Sequence, residues 1–106
     1  MGDRDRRQAL QIAKNLLESR INAIEAVRAL VPFLRVDPTL AMPEDRKALI
    51  GIGSETDDLP VGRVREEWHP DRLQESDKEI ERCEKLYGER IRSVCERIVQ
   101  SHGLKG

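Results

Sequence analysis

Aromatic residues are almost missing from this chain of 106 residues, which holds one Phe, one Trp and one Tyr, at Phe33, Trp68 and Tyr87. A core without rings must be assembled from Leu, Ile, Val and Ala, so it is thin and spread along several elements. Charge of one sign is missing too. Nineteen basic residues against twenty acidic ones leave a formal net charge of -1, although 37% of the chain is charged. That balance excludes a globally basic nucleic-acid binder and a polybasic membrane surface. No apolar run approaches the roughly 20 residues of a transmembrane helix, and the charged start Met1-Gly-Asp-Arg-Asp-Arg-Arg is followed by no secretory apolar segment. A cytosolic protein is the expectation. Cysteine is limited to Cys83 and Cys95. On one continuous helix these lie about 18 Å apart, far beyond the roughly 7 Å reach of a disulfide, and read as small buried hydrophobes.

What the chain does contain is helical periodicity. From 69 to 100, Leu73, Ile80, Cys83, Tyr87, Ile91, Val94, Cys95 and Ile98 recur every three or four residues under a coat of charge, which predicts one long amphipathic helix. Such a helix spans about 45 Å, longer than a small globule is wide, and so either projects or lies along a partner helix. Ala9, Ile12, Ala13, Leu16 and Leu17 predict a first helix over 5–19. Ile24, Val27, Leu30, Val31 and Leu34 continue the pattern, either in one long helix or in a second. The Asn22-x-x-Glu25 spacing has the form of a capping box and favours a break at 20–22. Pro32 removes a backbone bond and ends the second helix near Phe33 or Leu34. After a loop at 35–42, Pro43 opens a short helix to Ile50, which Gly51 and Gly53 are expected to stop. The stretch from Ser54 to Gly62 then reads as a loop in which Thr56, Asp57 or Asp58 caps a further helix opened by Pro60. Val61, Val64 and Trp68 share a face, and His69 caps the final helix with Pro70 in its first turn.

The residues that carry chemistry are sparse. Glu55, Asp57 and Asp58 place three carboxylates within four residues, the best local candidate for a divalent cation or a general acid and base, but without the alternating ligands and distal Glu of an EF-hand loop. Glu79, Glu81 and Glu84 do not share a helix face. Glu84 alone points to the edge of the apolar stripe, one turn before Gly88, where it either reaches water or needs an Arg from another helix. His69 and His102 lack metal-ligand spacing, Ser54 lacks a nucleophile-elbow frame, and Gly51-Ile-Gly-Ser lacks the Lys of a phosphate loop. Arg4, Arg6 and Arg7 cluster without interleaved aromatics, so no nucleic-acid stripe is formed. Trp68 either plugs the junction before the long helix or anchors a binding surface, and its exposure separates the two.

The central string Gly51-Ile-Gly-Ser-Glu-Thr-Asp-Asp-Leu-Pro-Val-Gly-Arg-Val-Arg-Glu-Glu-Trp, followed by the charged helix carrying Tyr87 and Cys95, resembles a group of small bacterial all-helical proteins of unknown function. The resemblance implies no catalytic or binding residue. In size and class the chain is also similar to bacterial immunity proteins that neutralise toxins, an analogy at the level of architecture only.

These readings predict a single all-α domain over residues 1–106: two antiparallel N-terminal helices, a short capped middle segment and a long C-terminal helix across them. The expected function is non-enzymatic protein–protein interaction, as an immunity-type inhibitor or as a homodimer sealed through the long helix. Glu55, Asp57, Asp58, Leu59, Arg63 and Trp68 form the expected contact surface, with no metal, cofactor, nucleic acid or membrane. The alternative is a small metal-dependent hydrolase using Glu55, Asp57 and Asp58.

Overall fold

A computed structural model describes residues 3–59 and 68–102. Four helices and no strands are present among them: α1 (Asp3–Leu17), α2 (Ala23–Val36), α3 (Pro43–Glu55) and α4 (Pro70–His102). The fold is all-α, as the periodicity predicts. Arg6 at the start of α1 reaches Asp37 at the end of α2, Arg46 near the start of α3 reaches the Leu34 carbonyl near the end of α2, and Arg97 near the end of α4 reaches Asp45 near the start of α3. Each helix therefore runs opposite to the one before it. The four make an up-down-up-down bundle 45 Å long and 24 Å across. Its long axis follows α4, the longest of the four helices at 33 residues.

The break between α1 and α2 follows from local chemistry. Ser19 adopts a left-handed φ of 61°, and the Asn22 side chain then accepts a hydrogen bond at 2.8 Å from the Glu25 amide. That cap answers one of the four amides a helix start leaves without an internal partner. With the chain reversed there, Ala9 and Ala13 of α1 lie buried with Ala23 and Ala26 of α2 in one core. Small side chains on both helices let the backbones approach closely.

Two helix ends differ from the sequence reading. α2 passes through Pro32 and ends at Val36 rather than at Phe33 or Leu34. Pro32 is exposed, so its ring meets water instead of the core. The last carbonyls are answered by the Asp37 amide on Phe33 and by the Arg46 guanidinium on Leu34. α3 does not stop at Gly51 or Gly53 but continues to Glu55. At Gly53 a Cβ would lie 2.9 Å from Val31 Cγ2 and 3.4 Å from Val27 Cγ1. Glycine is there because α3 lies against α2 too closely for a side chain, and that packing outweighs the roughly 1 kcal/mol cost of glycine in a helix.

The apolar stripe of α4 is covered by its own chain. Ile91, Val94, Cys95 and Ile98 join the main core with α1, α2 and α3, while Ile80 and Cys83 pack with Ile24 and Leu59 in a second cluster bordered by Tyr87. Both cysteines are free and buried. Burial along α4 begins at Ile80, because the preceding residues from Pro70 to Glu79 are exposed or half-buried. No helix among the described residues is long and apolar enough to cross a membrane.

The contrast between two glycines gives a direct test of this packing. Gly53→Ala is expected to destabilise the fold by about 1–3 kcal/mol, as overpacking does. Gly51→Ala, which meets nothing within 4 Å, is expected to stabilise it by about 0.5–1 kcal/mol in dilute solution. Urea unfolding followed by circular dichroism reads both, and equal effects would contradict the close α2–α3 approach.

Candidate functional site

The three carboxylates grouped by the sequence are separated by the fold. Glu55 is the last residue of α3, and its carboxylate accepts a hydrogen bond from the Tyr87 hydroxyl on α4. The phenol's pKa is raised, first by that hydrogen bond, then by burial and by the Glu55 charge. Asp57 and Asp58 lie in the turn that follows and are exposed. No group of three His, Cys, Asp or Glu among the described residues is arranged to hold a metal ion.

That turn is fixed from below. Thr56 closes α3, its amide and its hydroxyl both bonding the Ile52 carbonyl, the hydroxyl at 2.8 Å, and the further helix expected from Pro60 lies outside the described residues. Arg28 of α2 donates to the carbonyls of Thr56 and Leu59. Leu59, expected on a contact surface, is instead buried with Ile24, Ile80 and Cys83, because Arg28 draws the turn back over α2. Asp57 and Asp58 are thereby held outward on a pinned backbone. Arg63 lies outside the described residues. Trp68 is partly buried, which leaves it between the plug and the anchor. His69 is exposed and accepts from the Asp71 amide at 3.2 Å, the expected cap of α4.

Beside the turn, the outward side of α3 carries Lys47, Gly51 and Ser54, all exposed. A groove of about 380 Å³ runs along its N-terminal half, lined by Pro38, Pro43, Arg46, Lys47 and Ile50. Met42, which precedes α3, is exposed, as are Val36 at the end of α2 and Leu86 on α4. This face combines apolar area with the charge of Lys47, which has no ion pair among the described residues.

Glu84, Asp45 and Asp37 are committed to the fold. Glu84 meets neither an Arg nor bulk water alone: it is half-buried and accepts from the Ile24 amide at 3.0 Å, answering a second amide at the start of α2. It lines a groove of about 500 Å³ with Asn22 and Arg92, but Asn22 caps α2 and Arg92 bonds the Leu17 carbonyl. Asp45 is buried between α3 and α4 and bound by Arg97 through both oxygens, at 2.7 and 2.8 Å. The Arg97 hydrogen bond, with the charges of Arg97 and Arg90, lowers its pKa against the upward push of burial. Asp37 is lowered to about 2, mainly by the Thr39 hydroxyl and further by the Thr39 amide and Arg6, with burial opposing. Burial raises both thiols, Cys95 to about 12. Neither is a poised nucleophile.

Sequence reasoning missed Arg28, Tyr87 and Glu84 as organisers of this region. The spacing of Glu84 and Gly88 marked an edge position, but nothing local indicated a backbone amide 60 residues away. No protein-family model, no curated protein and no solved structure matches the chain.

The two buried carboxylates make stability depend on acid. A carboxyl with a lower pKa folded than unfolded stabilises the protein above its ordinary range, and that contribution is lost as pH falls through the folded value. The melting temperature is therefore expected to fall between about pH 4 and about pH 2, with Asp37→Asn flattening part of that slope. Thermal melts of the two proteins across this range check it, and parallel curves would remove Asp37 from the account.

Proposed function

We propose that the protein is a non-enzymatic protein-interaction module whose contact surface is the outward side of α3 with the turn at 56–59. One observation carries the reading. Asp57 and Asp58 are presented on a turn whose carbonyls are pinned by Arg28. Neither carboxylate has an ion pair or hydrogen bond among the described residues. The position itself opposes them, because the C-terminal end of a helix disfavours negative charge and α3 has no basic residue in its last turn. Such charges do nothing for the stability of α3, and a cationic group from outside the described residues offsets them best. A pinned turn also loses little conformational freedom on binding, which favours recognition.

Apolar area at the N-terminal end of the same helix supports a protein, which can span both ends, as the occupant rather than a small ion. Ile50, Pro38, Pro43 and exposed Met42 supply it. An immunity-type role would use the same carboxylates against a basic partner protein.

The test is a photoreactive phenylalanine derivative at Ser54, irradiated in extract of the source cells, with the same group at exposed Gln8 of α1 as the control. A discrete adduct at Ser54, with a second copy or with another protein, is the expected outcome. If Ser54 yields no adduct, or only the smear given by Gln8, the reading fails.

A further inference from the structure

The buried apolar residues form two groups that are sealed in different ways. All four helices contribute to the main core, which holds Cys95. The smaller cluster takes Ile24 from α2, Ile80 and Cys83 from α4, and Leu59 from the turn after α3. Three of these four sit in helices, whose backbone ladders hold them in place. Leu59 does not. Its amide bonds the Thr56 carbonyl at 3.1 Å, which closes the turn on itself without anchoring it to another element.

Side chains from the neighbouring helices anchor the turn instead. Arg28 of α2 donates to the carbonyls of Thr56 and Leu59, and Tyr87 of α4 donates to the carboxylate of Glu55, where α3 ends. Residues 56–59 are in this way a strap tied to α2, with α4 holding the residue before it. Arg28 forms no ion pair among the described residues, and the strap carbonyls are its acceptors there. Releasing the strap breaks those bonds and withdraws one leucine. It leaves the ladders of α2 and α4 and the whole main core in place. A segment with so few buried apolar contacts opens at a smaller free-energy cost than the protein as a whole.

We infer that the strap at 56–59 opens as a unit while the four helices stay packed, and that it gates access to Cys83. Closed, it keeps Leu59 in the cluster, and Cys83 is 5% exposed. Open, it takes Leu59 away, and the thiol meets solvent together with Ile24 and Ile80. Cys95, at 0% exposure in a core built by all four helices, has no such cover and is reached only when the bundle unfolds. The two thiols of the chain therefore report two different events. Arg28 is the positioning residue of the gate, since its planar fork spans two carbonyls at once. The strap opens whether or not a partner binds Asp57 and Asp58.

N-ethylmaleimide, a small neutral thiol reagent, tests the gate on the whole chain. Peptide mass spectrometry resolves Cys83 from Cys95, and circular dichroism confirms that each variant is folded. In native buffer Cys83 is expected to label about tenfold faster than Cys95, and about tenfold slower than in the chain unfolded by urea. As urea rises below the unfolding transition, the Cys95 rate should climb steeply, because global unfolding exposes much surface, while the Cys83 rate stays nearly flat. Ile98→Val, in the main core far from the strap, should speed Cys95 roughly two- to tenfold and leave Cys83 unchanged. Arg28→Ala and Leu59→Ala should each speed Cys83 about tenfold. A Cys83 that labels no faster than Cys95, shares its urea dependence or responds equally to Ile98→Val opens only by global unfolding, and the gate falls. A Cys83 rate unchanged by Arg28→Ala, or a wild-type rate equal to that of the unfolded chain, would overturn it as well.

Discussion

Everything in this bundle leans on the burial of α2. Ala23, Ile24, Ala26, Val27, Leu30 and Leu34 are removed from water along its length, and α1, α3 and α4 each pack against it. With no aromatic side chain fully buried, cohesion comes from many aliphatic contacts around this one helix, each worth little alone. The small residues follow from the same constraint. Ala9, Ala13, Ala26 and Gly53 lie where neighbouring backbones close on one another, and larger side chains would push the surrounding helices away from their shared core.

Packing helices this tightly creates a second problem, because helix ends leave amides and carbonyls without internal partners. The chain answers with long charged side chains sent from one helix to the end of another. Arg92 of α4 closes α1 at the Leu17 carbonyl, Arg46 of α3 closes α2 at Leu34, and Arg28 of α2 closes α3 at Thr56 and the following turn at Leu59. Glu84 does the converse at the start of α2. Much of the charge that would suggest chemistry in a sequence is thus structural. All buried side-chain nitrogen and oxygen atoms among the described residues are bonded.

Against that background, Lys47, Asp57 and Asp58 are among the charges without a partner among the described residues. They border the side of α3 that faces away from the core, and Asp57 and Asp58 work against its dipole. Arg28 pins the carbonyls on either side of Asp57 and Asp58, and this is the ground on which a recognition surface is proposed. Glu55, by contrast, is drawn off to Tyr87, which splits the acidic trio that sequence spacing had grouped.

The sequence by itself determined the helices and one of their breaks. Periodicity at three and four residues marks the buried face of α4 from Ile80 to Ile98, and the Asn22 cap separates α1 from α2, because both signals are local and survive without knowledge of the rest of the chain. Pro70 with His69 marks the start of α4 for the same reason. Tertiary structure alone decided the course of α3 through Gly51 and Gly53, the burial of Leu59, and the partners of Glu84 and Arg28. A glycine in sequence reads as a stop, since only the neighbouring Val27 and Val31 show that it is a point of contact. A charged residue reads as solvated, since its hydrogen-bond partner lies 28 to 60 residues away at the end of another helix. Periodicity records which side of a helix is apolar; which helix covers that side, and which side stays open, depends on how all four pack together.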